Sequence, residues 1–300
     1  MRTFVSLCLT ALAAAQAPAT GAPVAVPEDL QALAARVEAA HRPGGPKPRV
    51  TAIDAAMQWY VKAKNADQGQ VDITLQYLES QAPESKKPTS LMHYEVVDKG
   101  TPIVRGSDRY GPWQLDRDEA RDLLGADAAQ DLAQFERHRS LVKQLLRFLS
   151  PGDVLRSLKN PSPVAEETLA VAIDKKVECR TVSGELAAFP LLQQAGEDAP
   201  VVLKIWIDKG TDLLRAVDAW PLRDGKKDEA RGERIVLGTL RPRGGLIVPL
   251  QLEHLFRQPD GTLALQSQAN FTSLDLAPTL RAEDFERRKV VAKVLEHRRK

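Results

Sequence analysis

Ile53-Asp54-Ala55-Ala56-Met57-Gln58-Trp59-Tyr60-Val61-Lys62 admits two readings, and the choice between them decides the fold. The segment is composed of good helix formers, yet Ile53, Ala55, Met57, Trp59 and Val61 alternate with a second side that carries Asp54, Gln58 and Lys62. A period of two is the mark of a half-buried strand, so the segment is read as β. A polar turn, Asn65-Ala66-Asp67-Gln68-Gly69, follows it. Val71, Ile73, Leu75 and Tyr77 then alternate with Asp72, Thr74 and Gln76, and the two runs form a β-hairpin.

The pattern continues downstream. Leu91 to Val97 and Pro102 to Arg105 read as strands separated by the hairpin-type turn Asp98-Lys99-Gly100. From Asp116 to about Leu158 the period changes to that of a helix, with Leu132, Phe135, Leu141, Leu145 and Leu149 on one face until Ser150-Pro151-Gly152 stops it. Short alternating runs then return over 168–173, 177–182, 201–208, 213–220, 234–240, 246–257 and 263–272, with turn signals at Asp224-Gly225, Gly244-Gly245 and Asp260-Gly261. Strands joined by short turns and not by crossover helices pair antiparallel. Upstream, Leu30, Leu33, Ala34 and Val37 keep helical spacing behind the acidic Glu28-Asp29, and Pro43-Gly44-Gly45-Pro46-Lys47-Pro48 ends that helix after His41. The fold class is mainly β (α+β). The charged stretch from Pro221 to Gly232 reads as a mobile loop.

Three hundred residues, 43% hydrophobic and 27% charged, give a chain that folds and is neither disordered nor a multi-span membrane protein. A formal net charge of +2 is too balanced for a nucleic-acid binder, so no nucleic-acid partner is expected. Residues 1–17 have a signal peptide's order: one basic residue, a short apolar run, then small residues. Export to the periplasm or cell envelope follows, with residues 18–26 as a flexible leader. Cys8 lies too early and follows the bulky Leu7, which argues against a lipid anchor; Cys179 is then the mature chain's sole thiol, a buried strand residue without a disulfide.

A search for chemistry finds no phosphate-binding glycine loop and no Gly-x-Ser-x-Gly elbow. His41, His93, His138, His254 and His297 are scattered, without a His-Glu-x-x-His helix or a cysteine partner at zinc spacing. No catalytic residue, metal or cofactor is expected. Asn270-Phe271-Thr272 is a glycosylation sequon, which matters only in a glycosylating host.

The order of elements resembles the LolA-type periplasmic lipoprotein carriers. The likeness sits in Met92-His93-Tyr94-Glu95-Val96 with the segment from Gly106 to Asp116, in Leu203-Lys204-Ile205-Trp206-Ile207-Asp208-Lys209 with Leu213 to Val217, in Gly244-Gly245-Leu246-Ile247-Val248-Pro249, and in Asp284-Phe285. It implies a single domain over 27–288, a curved antiparallel half-barrel covered by helices with a helical insertion at 116–158, followed by a basic tail at 289–300 that is solvated or a frayed helix. It further implies a non-enzymatic protein whose partner is a lipid or lipoprotein acyl chain held in an apolar groove. Leu75, Tyr77, Leu203, Ile205, Ile207, Leu250, Leu252, Leu265 and Phe271 are the expected lining, with the helices near Leu30 and from Asp127 to Leu149 as lids. The resemblance does not place the family's ligand-contacting arginine on Arg49 or elsewhere. The alternative is a periplasmic sensor or scaffold whose interior is filled and which works through an envelope protein partner.

Overall fold

Alternation of apolar and polar residues along the chain is realised as one antiparallel sheet. The computed structural model describes residues 29–62, 69–80, 89–98, 101–116, 118–172, 175–193 and 198–299. The leader and the turns expected at 65–69 and 98–100 lie wholly or mostly outside the described residues. From one edge, the sheet runs β6 (Glu119–Asp122), β5 (Gly111–Asp116), β4 (Thr101–Asp108), β3 (Thr89–Asp98), β2 (Gly69–Ser80) and β1 (Ala52–Val61). It continues through β14 (Leu263–Asp275), β13 (Leu246–Arg257), β12 (Glu233–Arg243), β10 (Leu214–Arg223), β9 (Ala199–Asp208), β8 (Lys175–Phe189) and β7 (Ala165–Ala172), with the two-residue β11 (Lys226–Lys227) on β10. Pairing of β1 with β14 joins the two halves of the chain, and the sheet does not close: it is a curved half-barrel.

Among the described residues four α-helices cover it: α1 (Leu30–His41), α2 (Ala129–Phe148), α3 (Pro151–Arg156) and α4 (Arg287–Arg299). The Asp29 carboxylate accepts from the Gln31 backbone N–H at 3.0 Å and caps α1. Pro151 opens α3, where its missing N–H costs nothing. Between α1 and α3 the backbones approach so closely that a Cβ on Gly152 would stand 2.9 Å from the Ala34 carbonyl oxygen. The three helices close over the concave face, where Leu33, Val37, Phe135, Leu141, Leu145 and Phe148 share one core with Ile53, Met57, Tyr77, Leu203 and Leu252.

β1 shows the expected alternation, with Ile53, Ala55, Met57 and Trp59 buried, although Val61 at its end is exposed. Three expectations are corrected. The helical segment does not begin at Asp116: Glu119–Asp122 pairs with β5, because backbone bonds to a neighbouring strand hold a stretch that has no apolar alternation of its own. The basic end is a 13-residue helix, with Val290 buried and Val291 and Val294 half-buried against Val104, Trp113 and Leu115 on the convex face. The stretch 221–232 is structured, carrying the end of β10, β11 and a 3₁₀ turn at Glu229–Arg231; the Lys227 ammonium lies 3.6 Å from the Trp220 ring centroid.

Candidate functional site

Register fixes which side chains enter the concavity. Ala55, Leu75, Tyr94 and Arg105 lie in one row across β1 to β4, and Val217, Ile205, Ile235 and His254 lie in another across the second half. Of the nine residues expected to line a groove, Leu75, Tyr77, Leu203, Ile205, Ile207, Leu252 and Phe271 come together in the concave core, with half-buried Leu250 packed against it. Leu265 is set apart. A register shift at His254/Leu255 pairs it with Leu255, and it borders a recess with Tyr60, Lys62 and Gln268. The seven are in contact with a filled interior, not an open groove: Tyr77, Leu203, Ile207 and Leu252 are 0% exposed.

Polar groups inside this apolar layer were not singled out from the sequence, and they fasten the helical cover at three places. At the β4 end, the buried Arg105 guanidinium donates to Asp131 Oδ1 at 2.6 Å and Gln134 Oε1 at 2.9 Å on α2, and to Gln114 Oε1 at 2.6 Å on β5. It also donates to the Tyr94 hydroxyl at 3.3 Å, and burial raises that phenol's pKa to about 12, with Arg105 opposing the rise. A second guanidinium, Arg121, donates to the other oxygen of Asp131 at 2.7 Å. Arg49 is not part of this set; it is exposed and pairs with Glu79.

Farther along α2, Gln144 is fully buried and forms a hub. Its amide nitrogen donates to the Pro190 carbonyl at 2.8 Å and to Glu233 Oε1 at 3.0 Å. That orientation leaves Gln144 Oε1 to accept from His254 Nε2 at 2.8 Å, so the proton of the neutral imidazole sits on Nε2. Glu233 also accepts from the backbone N–H groups of Leu192 and Gln193. Burial raises its pKa to about 7 against these donors, and burial lowers that of His254 to about 3.

The third fastening is at the end of α1. His41 Nδ1 lies 2.9 Å from the Val37 carbonyl and donates to it, while Nε2 accepts from the Leu214 backbone N–H at 3.3 Å on β10. An imidazolium could not accept that bond, and burial lowers the pKa of His41 to about 4. His138 is buried between Trp59 and Tyr94, at ring-centroid distances of 4.8 and 4.6 Å, and burial lowers its pKa to about 3. The sequence did hold a signal for two of these groups: Glu233 is in phase with Ile235 and Leu237, and His254 with Leu252, so both fall on the inward side of their strands.

No family model matches the chain, and no curated protein matches it. Solved structures similar to it include a putative outer membrane lipoprotein-sorting protein domain from Vibrio parahaemolyticus, 11% identical, spanning 87% of this chain and 97% of that one with a TM-score of 0.43. A DUF1329 family protein from Desulfovibrio piger is 12% identical over 86% of this chain and 96% of its own, with a TM-score of 0.47. A LolA superfamily protein from Nitrosomonas europaea is 10% identical over 88% and 99%, with a TM-score of 0.36. Among the described residues no helix is long and apolar enough to cross a membrane, and no group of three or more His, Cys, Asp or Glu side chains could hold a metal ion.

Proposed function

We propose that this is a non-enzymatic, exported cell-envelope protein that binds a lipid or lipoprotein acyl chain on the concave face of the sheet, in the space that α1 and α2 fill in the structure. The observation that carries the reading is the fastening of the cover. A helix layer held for good over a sheet needs only apolar contact, whereas here directional bonds from Arg105, Gln144 and His41 cross the interface. Such bonds specify one closed arrangement and are lost together when a helix withdraws. The apolar face then exposed would hold an acyl chain by burial alone: at about 0.8 kcal/mol per CH₂, a chain of roughly sixteen carbons gains on the order of 10 kcal/mol before ordering costs.

The test is native mass spectrometry of the protein purified from cells, with organic extraction of whatever is bound. The expected result is an acyl-containing adduct that disappears from folded Ile205→Asp and Leu252→Asp variants. A clean apo mass, with no uptake of offered lipid, contradicts it. The complete burial of Leu203, Ile207 and Leu252 favours the second reading, a sensor or scaffold with a permanently filled interior that binds an envelope protein through its outer surface. That reading requires the interior to stay closed under every condition in which the protein works.

A further inference from the structure

The convex face carries a feature that the acyl-chain reading does not use. After β14 the chain crosses back over the outside of the sheet, makes a 3₁₀ turn at Ala282–Phe285 and continues as α4. Between α4 and the outward rows of β1 to β4 runs a trough of about 750 Å³, within the range of small-molecule sites. Phe285 packs beside His93 at 5.5 Å between ring centroids, the rings tilted by 58°, and Val104, Val290 and Val294 supply apolar lining.

The sheet wall of the trough carries Asp54 and Glu95, while the opposite wall is mixed and mainly basic: α4 brings Lys289, Lys293 and Arg298 together with Glu296, and the turn before it brings Asp284. Asp54 is engaged with the Gln76 amide at 2.6 Å, Lys289 faces Glu286 at 3.9 Å, and Arg298 donates to the Pro102 carbonyl at 3.2 Å. Glu95 and Lys293 line the same trough from opposite walls, and neither has a hydrogen bond or ion pair among the described residues. His93 sits on the floor in the row of Asp54 and Gln76, with its Nδ1 buried and without a protein partner. Burial first and the Lys293 charge second lower its pKa to about 4, with Asp54 and Asp284 opposing. No ion pair joins Glu95 to Lys293, so a ligand that supplies the complement to both makes direct contacts that neither charge now has.

We propose that this trough is a binding site for a zwitterion, a small molecule or lipid headgroup bearing a primary ammonium for Glu95 and Asp54 and a phosphate or carboxylate for Lys293 and Lys289, with its apolar part against Val104, Val290 and Val294. The site is on the opposite face of the sheet from the acyl-chain interior, and its occupancy is independent of whether that interior opens.

Isothermal titration of the full-length chain tests it with four probes. Glycerophosphoethanolamine presents a lipid headgroup and alanylalanine presents a peptide zwitterion; glycerol phosphate and ethanolamine carry one charge each. One zwitterion is expected to bind at least about tenfold more tightly than either single-charge probe, and its identity names the source. Glu95→Lys and Lys293→Glu should each weaken that binding by about tenfold, and the double charge exchange should recover it to within about threefold of the parent. Near-UV circular dichroism of Trp113, which lies beneath α4, reports whether each variant keeps the helix docked. The proposal is overturned if both zwitterions fail to bind, if the single-charge probes bind equally well, or if either single variant, with α4 docked, binds as the parent does.

Discussion

Helices cover both faces of the sheet, but in opposite ways. On the concave side α1 and α2 pack against the seven of the nine expected residues that share the core, and buried polar groups bridge helix and sheet, with His254 Nδ1 left without a partner among the described residues. On the convex side α4 touches the sheet through a narrow stripe, Val290 and its neighbours on Val104, Trp113 and Leu115, and leaves a charged trough beside it. The contrast follows from composition. The apolar face of α2 extends over its length, with Phe135, Leu141, Leu145 and Phe148 all buried, whereas α4 has Val290, Val291, Val294 and Leu295 set among basic residues and can bury only a strip. A fully sealed face is costly to disturb, and a partly sealed one is not.

Acidification should break the concave side first and by the widest margin. His41, His138 and His254 hold folded pKa values of about 4, 3 and 3, below the ordinary 6.5, so between pH 6.5 and 4 the unfolded chain binds protons that the folded chain refuses. Stability therefore falls as pH drops through that window, by up to about 1.4 kcal/mol per pH unit for each histidine. Glu233 works the other way: its folded pKa of about 7 exceeds the unfolded 4.5, and its contribution is fully present below pH 4.5 and lost as pH rises through 7. The three histidines, together with His93 on the convex side, whose pKa burial lowers to about 4, outweigh Glu233 and give a net loss on acidification, read from urea unfolding at pH 7 and pH 5. Equal stability at the two values would mean that the imidazoles are solvated.

Substitutions sharpen the same contrast. Phe135→Ala, in the concave core, should cost about 3–5 kcal/mol in denaturant unfolding. Gln144→Leu leaves Glu233 and His254 facing an apolar side chain and should cost about 2–3 kcal/mol. On the convex side Val290→Ala should cost about 1 kcal/mol and change the Trp113 signal without moving the main transition much. A convex substitution as damaging as a concave one would dissolve the distinction.

Much of the architecture was legible because hairpins announce themselves. The alternation from Ile53 to Val61 and from Val71 to Tyr77 reappears as β1 and β2, Leu246 to Arg257 as β13, and the Leu30 helix ends at His41 as read. What was not legible depends on contacts between distant segments. Glu119–Asp122 is a strand only because β5 offers it partners, and α4 is ordered because β4 and β5 present apolar residues on the outside of the sheet. At Gly106 a Cβ would stand 2.4 Å from the Trp113 ring, so the indole lies directly over the glycine, a packing that neither residue's neighbours reveal. The polar fastenings were hidden for a related reason. A charged or polar residue in a strand is read as outward-facing, and only the phase of Glu233 and His254 with their apolar neighbours betrays them.

Opening of the concave face to take an acyl chain would show in hydrogen–deuterium exchange of the backbone amides with and without a palmitoyl-bearing lipid. Residues of α2, Ala129–Phe148, are expected to lose protection when lipid is added, while β9 and β10 beneath them stay protected. Unchanged protection of α2 in the presence of bound lipid, or no binding at all, would contradict it and leave the interior a permanent core.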